Sequence, residues 1–171
     1  NKSGWRADGG EFFYCANNRV LFSGLKRNTQ KGVNYVAEEL NVNEVVLLRG
    51  EGFHLDTFFT PALNKDGYIV ALIICEKILH PQSKKSLFDY ADNINVPIFN
   101  IPENDALGTK TQTGKFSVNA LPLPGILLRP DYFSNPIIDA QLSELGIKTE
   151  ITPTSQFQLS GGSVHCVTNE L

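Results

Sequence analysis

Methionine is absent from the 171 residues, tryptophan occurs once, and cysteine occurs three times, at Cys15, Cys75 and Cys166. Three thiols cannot all pair, which favours a reducing compartment or a deliberately free thiol, and a cytoplasmic location is expected. Cys15 and Cys75 lie in apolar, strand-like stretches and read as core residues. Long hydrophobic runs are missing as well. The longest, Tyr68–Cys75, is far too short to span a bilayer, and no secretory leader is visible, so no membrane is expected. Nor is there a basic excess: Lys and Arg number 15 against 18 Asp and Glu, the net charge is −3, and the cations are scattered. Nucleic acid is therefore not an expected partner. The one Cys/His neighbour pair, His165-Cys166, points two ways if the tail is a strand, so no metal is expected, and no organic cofactor is implied. With Asn1 at its start and no methionine, the chain reads as a processed product or as the continuation of a further segment.

What is present is 42% hydrophobic residues, enough for one domain with a real core. The hydrophobic period changes in the same order three times. Phe12–Cys15 and Arg19–Ser23 read as a hairpin about Asn17-Asn18, residues that tolerate positive φ. Val33, Val36, Ala37 and Leu40 then follow helical spacing over Gln30–Leu40, and Glu44–Leu48 reads as a strand. A second round runs through Thr57–Leu63, Tyr68–Cys75, a helix near Ser83–Asp92 and Val96–Asn100. The third comprises Lys115–Leu121, Gly125–Leu128, a helix from about Pro136 to Leu145, and Ile147–Ile151. Pro136 suits a first helical turn and Gly146 a C-terminal cap. The expected fold class is α/β, with β-β-α-β units at about 8–49, 54–101 and 115–151 and a tail at 157–171.

Chemistry-bearing residues recur at or just before the first strand of each unit: Asp8-Gly9-Gly10-Glu11, then His54-Leu55-Asp56, then Ser117-Val118-Asn119, then His165-Cys166 in the tail. Arranged about a pseudo-axis, these starts converge. A thiol, an imidazole and carboxylates are the parts of a nucleophilic site. His54 and Asp56, two apart in an extended segment, would share a face. Each has a plainer reading: Asp8-Gly9-Gly10 as a turn, His54 as a core histidine, Cys166 as a buried thiol. His80, before Pro81, is given no role.

Asp-Gly-Gly-Glu before a hairpin, His-Leu-Asp-Thr-Phe-Phe-Thr, and a terminal Gly-Gly-Ser-Val-His-Cys together resemble the guanidino-group-modifying enzymes of the pentein superfamily. That family includes arginine and agmatine deiminases, dimethylarginine dimethylaminohydrolases and amidinotransferases. The resemblance implies a propeller of five β-β-α-β units, of which this chain would hold about three plus the cysteine-bearing strand, a partial catalytic domain. A missing N-terminal segment or a second chain would complete the ring. By the same resemblance Cys166 is the nucleophile, His54 the general acid/base, and Asp8 and Asp56 the carboxylates that grip a guanidinium. Glu11 stands where the family commonly has Asp. The stretch Gly24-Leu25-Lys26-Arg27-Asn28-Thr29 is a rearranged form of a turn whose arginine holds the substrate carboxylate, with Arg27 the best candidate. Asn119 and His165 are candidate substrate-lining or structural residues.

The implied activity is a hydrolase of the deiminase type, acting on arginine or a derivative through an amidino-thioether on Cys166. The alternatives are an amidinotransferase, a non-catalytic module for arginine-like ligands, and a cysteine protease or acyltransferase. The partner is a small guanidino compound or the arginine side chain of a protein.

Overall fold

The computed structural model describes residues 4–109 and 111–168. Strands β1 (Phe12–Cys15) and β2 (Val20–Gly24) pair antiparallel, with Phe13 opposite Phe22. A 3-10 turn over Ala16–Asn18 makes the reversal, and Arg19 closes it in the left-handed region at φ 50°. Helix α1 (Gln30–Glu39) starts at Thr29, whose hydroxyl accepts the Gly32 N–H at 3.2 Å and so satisfies one orphan donor of the first turn. Strand β3 (Glu44–Leu48) returns parallel to β2, the pairing that needs a crossover helix.

The same succession follows twice more. β4 (Phe59–Leu63) and β5 (Ile69–Ile74) form a hairpin, α2 (Pro81–Asn93) crosses over, and β6 (Ile98–Asn100) pairs parallel to β5. β7 (Leu121–Leu123), β8 (Ile126–Arg129), α3 (Pro136–Glu144) and β9 (Lys148–Ile151) repeat the arrangement. Pro136 occupies the first turn of α3, Asn135 caps it, and Gly146 follows its end at φ 81°. The result is three separate three-stranded sheets, each with its hairpin strand in the middle.

One apolar core joins them. Phe22, Leu48, Phe59, Leu72, Leu87, Leu127 and Leu142 are all buried in it. Phe59 of the second sheet meets Phe22 and Phe13 of the first at ring-centroid distances of 4.8 and 5.6 Å. Burying one such aromatic is worth roughly 1.5–3 kcal/mol, so these contacts, rather than shared strands, hold sheet to sheet. Among the described residues no helix is long and apolar enough to cross a membrane.

Three local expectations are corrected. Lys115–Leu121 is not a strand: β7 begins only at Leu121, and residues 117–119 form a turn behind Phe116, whose φ is 56°. Residues 116–120 are all buried, with the amides of Phe116, Val118, Asn119 and Ala120 bonded locally or to residues 105 and 106, so apolar alternation there does not mark a half-exposed strand. The His54–Thr57 stretch is extended only at His54, and Leu55–Thr57 is a 3-10 turn. In the tail the described residues hold a short helix α4 (Ser155–Gln158) and a 3-10 turn over His165–Val167 instead of a cysteine strand. Gly161 at φ 82° and the short-range bonds Val167 N–H to Val164 and Thr168 N–H to His165 curl this segment. Residues 169–171 of the expected tail lie outside the described residues.

Candidate active site

Asp8, His54, Asp56, Asn119, His165 and Cys166 come from four separate stretches and meet at one place. The centre is Asp56, which has no solvent exposure. Its Oδ2 accepts from His165 Nδ1 at 2.9 Å and from the Cys166 thiol at 3.3 Å. Its Oδ1 is buried without a hydrogen-bond partner. A buried carboxylate oxygen left unpaired is costly, and a cationic donor arriving there would remove that cost.

Asn119 holds the tail in position. Its Nδ2 donates to Cys166 Sγ at 3.3 Å and to the Asp56 carbonyl at 3.1 Å, and its Oδ1 accepts the Cys166 N–H at 3.4 Å. The His165 N–H donates to the Asn119 carbonyl, and the buried Thr154 and Ser163 hydroxyls pair at 2.7 Å beneath the turn. In a strand His165 and Cys166 would face apart. On the 3-10 turn successive side chains lie closer around the axis, and both reach the same Asp56 oxygen. The His165 ring also packs on Phe13, with centroids 4.5 Å apart. Burial first, and the Asp56 carboxylate second, push the Cys166 thiol above its ordinary pKa, so the thiol is protonated near neutral pH.

His54 Nε2 lies 3.5 Å from Asp8 Oδ2, within ion-pair reach. Asp8 is itself fixed: its N–H donates to Asn28 Oδ1 at 2.7 Å, and its Oδ1 accepts the Gly10 N–H at 3.2 Å. Gly10 presses against the site. A Cβ there would stand 2.6 Å from His54 Nδ1 and 3.3 Å from Asp56 Oδ2, so this close approach admits only glycine.

Two remaining candidates sit elsewhere. Glu11 is 1% exposed and accepts the Arg27 N–H at 2.8 Å, behind the cluster rather than in it. Burial raises its pKa. Arg27 is exposed and stacks on Phe53 at 4.2 Å. Asn28, which holds Asp8, escaped notice in the sequence; its signal was its place inside the rearranged Lys26-Arg27-Asn28-Thr29 turn.

Two cavities reach the cluster. One of about 260 Å³ exposes His54, with Glu11, Lys26, Arg49 and His80 also in its wall. The other, about 750 Å³, exposes His165 and Cys166 beside Gly9, Gly10 and the apolar residues of β1 and β7. Among the described residues no three His, Cys, Asp or Glu side chains gather as metal donors.

Solved structures of the same architecture define the class: the chain has the pentein fold, the fold that guanidino-group-modifying enzymes share. It is similar to the N-terminal domain of ArgZ, an arginine dihydrolase of the cyanobacterial ornithine–ammonia cycle, in a cysteine-to-serine form bound to substrate. That match has 25% identity and a TM-score of 0.70, over 91% of this chain and 53% of that one. Unliganded AgrE matches 97% of this chain and 23% of its own at 22% identity and a TM-score of 0.75. DDAH from Pseudomonas aeruginosa, complexed with citrulline, matches 95% and 55% at 15% identity and a TM-score of 0.64. The chain thus spans about half the length of the ArgZ domain and of DDAH. No protein-family model matches the sequence, and no curated protein does.

Proposed function

We propose that the protein is a cysteine-dependent hydrolase of the deiminase type, acting on the guanidinium of arginine or an arginine derivative. The observation that carries this reading is Asp56: a buried carboxylate with one oxygen unpaired and the other on the thiol of Cys166. A guanidinium is a planar cation with paired N–H donors, the group that satisfies such an oxygen best. Bound there, it offsets the Asp56 charge that holds the thiol protonated, so substrate binding itself favours the thiolate.

The steps then follow in order. The Cys166 thiol passes its proton to His54 as the sulfur adds to the central guanidinium carbon. His54, held beside Asp8, gives that proton to the departing ammonia or amine. An amidino-thioether remains on Cys166. Water, giving its proton to His54, adds to that carbon, the thiol leaves, and a ureido product is released. Asn119 keeps the sulfur in line, and the His165 ring holds the Asp56 carboxylate through its Nδ1 contact with Oδ2. Lys26 and Arg49, not Arg27, stand in the cavity wall beside His54, so they are the cations nearest to the far end of a substrate entering there.

The experiment is mass spectrometry of products from a panel of guanidino compounds and an arginine peptide, with Cys166→Ala alongside and with or without an added amine. The reading expects a ureido product from the unaltered protein only, together with a trapped adduct on Cys166. Products that form equally in Cys166→Ala, or no product across the panel, would refute it. Amidino transfer to the amine without hydrolysis would replace it by the transferase.

A further inference from the structure

Glu11 has no part in the steps above, yet it is among the most buried charged side chains of the protein at 1% exposure. Room for it is made deliberately. A Cβ on Gly24 would fall 1.4 Å from Glu11 Oε2, so the carboxylate occupies the space that any side chain at position 24 would need. The Arg27 N–H donates to its Oε1 at 2.8 Å, and the Leu55 backbone of a second segment lies close to the same carboxylate.

Each of those segments continues to one half of the His54–Asp8 pair. Arg27 precedes Asn28, whose Oδ1 accepts the Asp8 N–H at 2.7 Å and whose Nδ2 is anchored on the Ser23 hydroxyl at 3.2 Å. Leu55 follows His54, whose Nε2 faces Asp8 Oδ2 at 3.5 Å. The contacts therefore close on themselves: hydrogen bonds lead from Glu11 to Arg27 and from Asn28 to Asp8, an ion-pair approach crosses to His54, and Leu55 returns alongside Glu11.

We infer that Glu11 is a positioning residue, the keystone of a closed circuit of contacts that sets the distance between the acid/base histidine and its carboxylate partner. The inference rests on the deiminase reading for its kinetic consequence and on geometry alone for its structural one. Its carboxylate suits this task because one oxygen accepts from the first segment while the group lies beside the second. Burial drives the acid toward its neutral form, and the backbone around it and the nearby His54 oppose that. A neutral apolar residue would leave the Arg27 N–H without its acceptor.

The circuit makes a distinction that a merely stabilising residue would not. Asp56, which takes the guanidinium, lies outside it, so a fault in the circuit should damage the proton-transfer steps and spare binding. The test is Glu11→Gln, nearly the same in shape but with an amide nitrogen that cannot accept, examined in three ways: kcat and KM on the best guanidino substrate, the ring resonances of His54, and thermal unfolding. The protein has only three histidines, so the His54 resonances can be assigned by single substitutions. The expected result is a kcat lower by roughly 10- to 100-fold, the size of a small misplacement of a catalytic group, with KM within about threefold, and displaced His54 resonances in a folded protein.

If Glu11→Gln fails to fold, Asn28→Ala opens the same circuit at its other link and must give the same split. An unchanged kcat with unmoved His54 resonances would overturn the inference. So would kcat and KM falling only in proportion to lost folded protein. Should the unaltered protein turn over no compound, the deiminase reading falls, and the His54 resonances alone decide whether the circuit exists.

Discussion

Replacing Asp56 by Asn keeps the outline of the side chain and removes its charge, and two assays of that change are expected to move in opposite directions. In the unaltered protein the carboxylate stands 3.3 Å from the sulfur and disfavours the thiolate, as burial does more strongly. A raised thiol pKa means that thiolate appears only as pH climbs past the ordinary range, so alkylation of Cys166 by iodoacetamide is slow at neutral pH and rises late. Asp56→Asn removes the electrostatic part and leaves the burial part. Alkylation at a fixed pH should therefore be faster in the variant, and its pH profile should shift toward lower pH. Turnover should go the other way. On the proposed function the unpaired Oδ1 accepts the substrate cation, and a hydrogen bond between charged partners is worth about 1.5–3 kcal/mol, or a loss of roughly 10- to 150-fold in kcat/KM. The assays are timed alkylation followed by intact mass, and initial rates of ureido-product formation. Slower or unchanged alkylation in Asp56→Asn would refute the assignment of Asp56 as a group that disfavours the thiolate, whatever turnover does.

Gly10→Ala should displace the His54 ring, since the added methyl would sit 2.6 Å from Nδ1; kcat should drop at least about tenfold while overpacking costs about 1–3 kcal/mol of stability, read from rates and denaturant unfolding. Asp139→Ala should leave the fully buried Arg129 without the carboxylate it bonds, at about 3 kcal/mol, the low end for a broken buried pair because the Asp139 side chain is 19% exposed. That loss should appear in denaturant unfolding, and a stability within about 0.5 kcal/mol of the unaltered protein would show that the pair is not structural.

The order of elements was legible in the sequence because period and punctuation agree there. Val33, Val36 and Leu40 fall at helical spacing, Pro136 and Gly146 bracket α3, and β5 is an unbroken apolar run because it is buried as the middle strand of its sheet. Two stretches misled. In 115–121 apolar residues alternate with polar ones, which usually means one wet face, and for the tail the family resemblance implies a strand. Around Asn119 the polar partners are buried too, and around Cys166 the backbone is bonded to itself in a 3-10 turn. Alternation reports which side chains are apolar, not whether a neighbouring strand is there to pair with. The gathering of Cys166, His54, Asp56, Asn119 and Asp8 was legible through motif order, whereas the partners of each were not. That His165 turns toward Asp56, that Asp8 faces His54, and that Arg27 lies on Phe53 depend on turns whose handedness no residue spacing encodes.

The three sheets exchange no strands, and each chemistry-bearing stretch precedes a different one or lies in the tail. The cluster thus works as a vernier: every sheet can keep its own ladder intact while a slide of one against another takes Asp56 away from Cys166 or Asp8 away from His54. Backbone spectroscopy would register little of such a slide. Reactivity at a single sulfur would register all of it, so the rate at which Cys166 is modified is a gauge of how the sheets are seated on one another.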